Sequence, residues 1–231
     1  MFKGSELFAE SITELVHYIP VTLFYFLVPT AVSFVFGWVL CLIRSGRKNV
    51  LYYLATVFVS FFRGTPGLVQ IYLCFFGLPQ IVAIFGVDIN SWDAGIFYVI
   101  ATCCNFSSFV SEAFRSGCKA IDPGQIDAGY SIGYSRSQCF FHVILPQAME
   151  IALPNLKNLE IDLLKGTAVA YVIGVTDIMG RANQIINHHK GYGQIWILLA
   201  AAVLYFVINV AVEVVFNLIA AHNRRYRRAA A

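Results

Sequence analysis

Lys157, Glu160, Asp162 and Lys165 crowd into one short stretch of an otherwise apolar segment. At helical spacing Glu160, Leu164, Thr167, Tyr171 and Gly174 fall along one stripe, and Asp162, Lys165 and Val169 along another. The first stripe combines a carboxylate with a hydroxyl, which suits recognition of a polar solute. Glu160 could meet an ammonium group and Thr167 could offer its oxygen. A second reading stands beside it: Glu160 pairs with Lys157 and Asp162 with Lys165, each three positions apart, and both pairs serve only assembly. Arg63 is expected to be structural, or to stand near a cytoplasmic gate. Glu112 and Arg115 lie one turn apart and can neutralise each other. Glu213 shares a face with Asn209 and Asn217 and reads as a polar seam between helices. Catalysis finds no support, because no nucleophile, base and orienting group recur together. The six cysteines scatter through apolar stretches without a Cys-x-x-Cys, so they read as small buried hydrophobes. Adjacent His188 and His189 point apart on regular structure, so no metal site is expected.

The elements that must position these groups follow from composition. Of 231 residues, 58% are hydrophobic and only 13% charged, and the mean hydropathy is +0.69. Soluble domains carry about 25% charged residues. This chain therefore cannot coat a water-facing surface, and a soluble enzyme, a disordered regulator and a secreted disulfide scaffold are excluded. Nucleic acid is excluded as a partner because the cations do not gather on one polar face. The expected class is an all-α integral membrane protein.

A helix needs about 20 apolar residues to cross the bilayer. Residues 19–43 form span one. Residues 49–78 are too long for one upright span, and Arg63-Gly64-Thr65-Pro66 marks a break. Residues 49–62 are expected at or partly within the cytoplasmic interface, with 65–78 as the body of span two. Residues 94–114, 155–178 and 194–221 supply spans three to five. Before them, in residues 1–18, Phe8, Ile12, Leu15, Val16 and Ile19 recur at helical spacing while Glu6, Glu10 and Glu14 stack on another face. That pattern predicts an interfacial amphipathic helix. These acids leave no basic start for a cleavable signal peptide, so span one is expected to be retained. Cations fix the orientation by the positive-inside rule. Arg44, Arg47, Lys48, Arg115, Lys119, Arg136 and the arginines of the 222–231 tail fall on one side. Lys3, Arg181 and Lys190 fall on the other. The N-terminus is therefore expected outside and the C-terminus inside. Five helices are too few to surround a gated path, no internal repeat is evident, and there is no Gly-x4-Gly-Lys-Ser/Thr phosphate loop. Transport would need a second membrane subunit and an energy source elsewhere.

Residues 112–154 form the least membrane-like stretch. Gly124-Gln125 precede Asp127-Ala128-Gly129-x3-Gly133-x9-Val143-x-Leu145-Pro146. This reads as a short helix opened by an acid, small enough for a partner to approach, and broken at Gly133. The spacing resembles the EAA loop of ABC importer permeases, Glu-Ala-Ala-x3-Gly-x9-Ile-x-Leu-Pro. Asp127, Gly129 and Val143 depart from it, and Gly129 weakens the helix by up to ~1 kcal/mol. Phe62-Arg63-Gly64-Thr65-Pro66-Gly67-Leu68-Val69-Gln70, Glu112-Ala113-Phe114-Arg115-Ser116-Gly117 and Leu163-Leu164-Lys165-Gly166-Thr167 are similar to motifs of the polar amino acid subfamily. In the last, Gly166 and Ala168 replace an Asp and a Ser of the family pattern. The resemblance runs from about residue 18 to 221.

The resemblance implies the type I importer permease fold at the bacterial plasma membrane, in a chain that is not itself an enzyme. A second permease, the same chain or a paralogue, would complete the pathway. Two cytoplasmic ATPase subunits would bind ATP and magnesium, and this chain would bind no cofactor. The helix at about 125–134, with Gln125, Asp127, Ala128, Gly129, Gly133 and Pro146, would couple ATP-driven closure to alternating access. An extracytoplasmic solute-binding protein would deliver an amino acid. Glu160, Thr167, Tyr171 and Arg63 are the candidates along the solute pathway. Phe75-Phe76-Gly77-Leu78-Pro79-Gln80 is similar to a run of cystine-type members, which raises cystine. Cationic amino acids, glutamine and glutamate remain open. The rival classes are a membrane-embedded enzyme or sensor and a channel-like oligomer, neither of which requires a loop of this pattern.

Overall fold

The computed structural model describes residues 4–230, with side chains described from 4 to 221. Lys3 and the cationic tail side chains Arg224, Arg225, Arg227 and Arg228 lie outside the described set. All regular structure among the described residues is helical. Helix α1 (Gly4–Val16) leads into α2 (Ile19–Ser45), α3 (Val50–Gly64), α4 (Gly67–Tyr72) and α5 (Leu78–Ala83). Then come α6 (Ala94–Lys119), α7 (Pro123–Ser131), α8 (Arg136–Cys139), α9 (Leu145–Thr167), α10 (Ile178–His188) and α11 (Gln194–Ala230).

α2, α6 and α11 are long and apolar enough to cross a membrane, and α3 with α4–α5 forms a fourth candidate bent by 112°. The bend falls at Thr65-Pro66, as the Arg63–Pro66 break predicts. Pro66 cannot donate an amide hydrogen, and Thr65 is extended at φ −115°, ψ 145°. The carbonyls freed there are taken up by Gln70, whose Nε2 donates to Phe62 O at 2.9 Å and Thr65 O at 3.0 Å. Asn105 of α6 donates to the same Phe62 O at 3.1 Å and to Gln70 Oε1 at 2.8 Å. In an apolar setting each unmet carbonyl is costly, so these two amides hold the bend in place.

α6 is the axis of the bundle. It packs along α2 where both helices are small: a Cβ at Gly37 would stand 2.8 Å from Val110 Cγ1 and 2.9 Å from Ser107 O. On its other side a Cβ at Gly117 would lie 2.5 Å from the Ala148 carbonyl of α9. Trp38, Phe34 and Phe114 fill the space around these crossings. A larger core joins α1, α2, α9, α10 and α11 through Leu15, Phe26, Leu163, Leu164, Ile178 and Ile197. The apolar edge of α1 is thus covered by protein, with Leu7 and Leu15 buried, while Glu6 and Glu10 stay exposed.

Two boundaries differ from expectation. Span four was placed at 155–178, but α9 starts at Leu145 and ends at Thr167. Pro146 follows the wide turn at Phe140–Ile144, whose looser hydrogen-bond ladder accommodates a residue that has no amide hydrogen to donate. After Thr167 the chain narrows to a single turn, Ala170–Ile173, and reverses at Gly174, φ +94°. The expected stripe from Glu160 to Gly174 therefore stops at Thr167. α9 carries too many charges to read as an apolar span, yet it packs against α2, α6 and α11.

Candidate functional site

The loop between α6 and α9 is built around α7. Asp122 caps it, its side chain accepting from Gly124 N at 2.7 Å. The opening acid is therefore Asp122, and not Asp127 as the motif spacing predicted. The helix ends where expected: Gly133 has φ +89°, Gly133 N donates to Tyr130 O at 3.0 Å and Tyr134 N to Gly129 O at 3.1 Å. This left-handed ending requires a residue without Cβ. Gly129 is buried, and a Cβ there would stand 3.1 Å from Cys139 Sγ and 3.6 Å from Val143. Its small size thus serves contact within the chain. Gln125, Asp127, Ala128 and Ile132 are exposed, as is Pro146. Ser135 and Gln138 form a reciprocal capping box for α8, and a wide π-helical turn, Phe140–Ile144, joins α8 to α9 without interruption.

The polar residues of α9 part company. Glu160 is buried, 1% exposed, and accepts a hydrogen bond from Thr30 of α2 at 2.5 Å. Lys157 does not pair with it. Its ammonium instead reaches α11, donating to Glu213 Oε1 at 2.5 Å and Asn217 Oδ1 at 3.3 Å. Of the seam read from Glu213, Asn209 and Asn217, Glu213 and Asn217 meet Lys157, while Asn209 Oδ1 is buried without a hydrogen-bond partner among the described residues. Asp162 and Lys165 do pair, at 3.7 Å, on an exposed face. Thr167 is buried, donating to Leu164 O at 2.8 Å and lying 3.4 Å from the Tyr205 hydroxyl. Tyr205 in turn donates to Asp177 Oδ2 at 2.8 Å, while Asp177 Oδ1 caps α10 through Gly180 N. Tyr171 is 40% exposed on the short turn beyond. A small cavity of about 100 Å³ opens between α4, α6 and the end of α9, among Tyr98, Thr102, Asn105, Gly166 and Val169. Full ligand pockets hold about 300 Å³ or more.

Sequence reasoning missed Thr30, Asp177, Tyr205 and Asn105. Only Asp177 left a signal, an acid three residues before Gly180 at a helix start.

At the far end of α2 and α6, Glu112 gathers three arginines. Arg44 donates to it at 3.1 Å, Arg115 binds both its oxygens, and Arg63 stands 3.8 Å away. Glu112 and Arg115 pair as expected, but the cluster also ties α2 and α3 to α6. Arg63 further lies over the Phe109 ring at 5.7 Å. This end also carries α7, opposite the end where Arg181 pairs with Glu14.

Residues 33–225 match the family model of the binding-protein-dependent transport system inner membrane component. The chain belongs to that family. The permease is 35% identical over 206 residues to the L-cystine transport system permease protein TcyL of Bacillus subtilis, covering 89% of this chain and 85% of that one. It is 36% identical over 191 residues to the probable glutamine ABC transporter permease protein GlnP of the same organism, covering 82% and 84%. Among solved structures, an amino acid ABC transporter crystallised with histidines superposes at a TM-score of 0.82 with 27% identity, covering 96% of this chain and 99% of that one. The MetNI methionine ABC transporter, inward facing, superposes at 0.69 with 18% identity over 90% and 95%, and shares the fold alone. The fold is therefore that of a type I ABC permease. This chain is the inner-membrane permease subunit of an ABC importer for amino acids, a transport component whose ATPase is a separate subunit.

Proposed function

We propose that this permease carries cystine and supplies half of its pathway, with a second permease, identical or paralogous, closing the other half. The layout is five spans, formed by α2, the bent pair α3 with α4–α5, α6, α9 and α11, with the N-terminus outside and the C-terminus inside. The carrying observation is the exposed Ala128 face of α7, seated through Gly129 on Cys139 and Val143 at the base of α9. A small, convex, well-braced helix at the cation-rich end suits docking into two ATP- and magnesium-binding subunits, one under each permease. Movement there would pass into α9 and swing the spans between inward- and outward-facing states. A solute-binding protein would deliver the amino acid to the outer face.

Cystine is favoured by the Phe75–Gln80 run and by relatives named for L-cystine transport, while a relative named for glutamine makes glutamine the second reading. The cavity of about 100 Å³ is too small for cystine in one chain, which fits a site completed by a partner or by opening. Glu160, Thr167, Tyr171 and Arg63 remain the candidates along the pathway, and an opening that parts α2 from α9 would free Glu160 from Thr30. Binding-protein-dependent uptake over a labelled amino acid panel in proteoliposomes tests this. Cystine should lead the panel, and Glu160→Gln should reduce its uptake. Accumulation of glutamine without cystine would replace the substrate, and unchanged uptake by Glu160→Gln would remove that residue from the site. Uptake independent of ATP would favour a channel.

A further inference from the structure

A second polar recess lies at the α7 end of the bundle, between the end of α2, the start of α3 and the end of α6. It measures about 340 Å³ and is lined by Arg44, Ser45, Tyr52, Arg115, Cys118 and Lys119. No acid lines it. Glu112, behind it, is the one carboxylate paired with Arg44, Arg63 and Arg115 among the described residues, so positive charge is left over. Lys119 makes no ion pair among the described residues. Three cations, two hydroxyls and no carboxylate define a site for an anion with several acceptor oxygens, above all a phosphate group.

What adjoins the recess narrows the ligand further. The recess lies at the ends of α2 and α6, both long and apolar enough to cross a membrane. A basic recess at the end of membrane-crossing helices meets the head-group layer of the bilayer, where phosphate groups are carried by lipids. We propose that this recess binds the head group of an anionic phospholipid of the inner leaflet. Its assignment to that leaflet rests on the layout proposed above. Basic recesses between membrane helices at the cytoplasmic side suit such head groups.

The test uses the full-length permease, extracted together with its partner subunits from bilayers of mixed phosphatidylglycerol and phosphatidylcholine. Native mass spectrometry then counts the lipids retained. Phosphatidylglycerol should be retained over phosphatidylcholine, and excess inorganic phosphate should not strip it. Lys119→Gln should lower retention about fivefold, the factor for one cation near an anionic surface. Ser45→Glu, which places an acid at an exposed position in the recess, should abolish it, and Lys119→Arg, which keeps the charge, should retain lipid as the unaltered permease does. Equal retention of the two lipids, or wild-type retention by both Lys119→Gln and Ser45→Glu, would overturn the site. Displacement by inorganic phosphate would reassign it to free phosphate. The lipid count does not depend on orientation. A C-terminal reporter read outside would sink the layout while leaving the lipid result standing.

Discussion

Replacing Glu112 by Gln keeps its shape and removes the one charge that holds Arg44, Arg63 and Arg115 together. The contacts are unequal. Arg115 grips both oxygens and Arg44 donates at 3.1 Å, with side chains 23% and 13% exposed. Arg63 stands at 3.8 Å and is 42% exposed. Removing one partner of a buried ion pair costs about 3–5 kcal/mol, and this half-buried cluster reaches that range through two charged hydrogen bonds of about 1.5–3 kcal/mol each. An exposed pair at the distance of Arg63 is worth about 0.2–1 kcal/mol. At roughly 2–4 °C per kcal/mol for a chain of this size, Glu112→Gln should lower the thermal midpoint by about 6–20 °C. Arg63→Gln should lower it by no more than about 4 °C. Arg44→Gln removes a charged hydrogen bond worth about 1.5–3 kcal/mol and should fall between them. The readout is the fraction of purified protein that survives heating as a monodisperse species in detergent. A shift under about 2 °C for Glu112→Gln, or an Arg63→Gln variant as unstable as it, would refute the hub.

The structure separates two further variants. Gly117→Val should force α6 from α9, since even its Cβ would lie 2.5 Å from the Ala148 carbonyl. Its yield of folded protein should collapse, whereas Gly64→Ala, whose Cβ meets nothing within 4 Å, should behave as wild type in the same expression assay. Ala128→Trp adds bulk on the exposed face of α7 and should leave the thermal midpoint unchanged, while uptake falls and the ATPase loses its response to the solute-loaded binding protein. Wild-type uptake by that variant would sink the docking face. Gly133 is the poorer test, because its φ of +89° makes any side chain there strained in itself.

Much of the fold was legible wherever the signal was local. The runs that became α2, α6 and α11 needed only apolar length, and the 112° bend needed only a proline after a polar break. The end of α7 was announced by Gly133. Partners distant in sequence were not legible. Lys157 finds Glu213 fifty-six positions away, and Thr30 meets Glu160 across one hundred and thirty. Helical spacing favoured nearer partners and had no means to rank those. Pro146 was read inside the 112–154 stretch, and nothing local showed that it would lie within a helical rod, because a proline that follows a wide turn and one that ends a helix have the same sequence signature. The narrowing after Thr167 left no breaker until Gly174, so the stripe was extended too far.

The wide turn at Phe140–Ile144 sets the phase between α7–α8 and α9. One residue more than an α-helical turn needs is absorbed there without a break in the rod. Deleting a single residue from it would remove that extra residue and turn everything before it by about 100° around the axis of α9. Ala128 would then face a different quarter, and the seat of Gly129 would keep Cys139 but lose its register with Val143. The direction in which α7 presents its exposed face is thus dialled by the residue count of a turn outside α7 itself. In this part of the chain a one-residue deletion would be a sharper change than most substitutions.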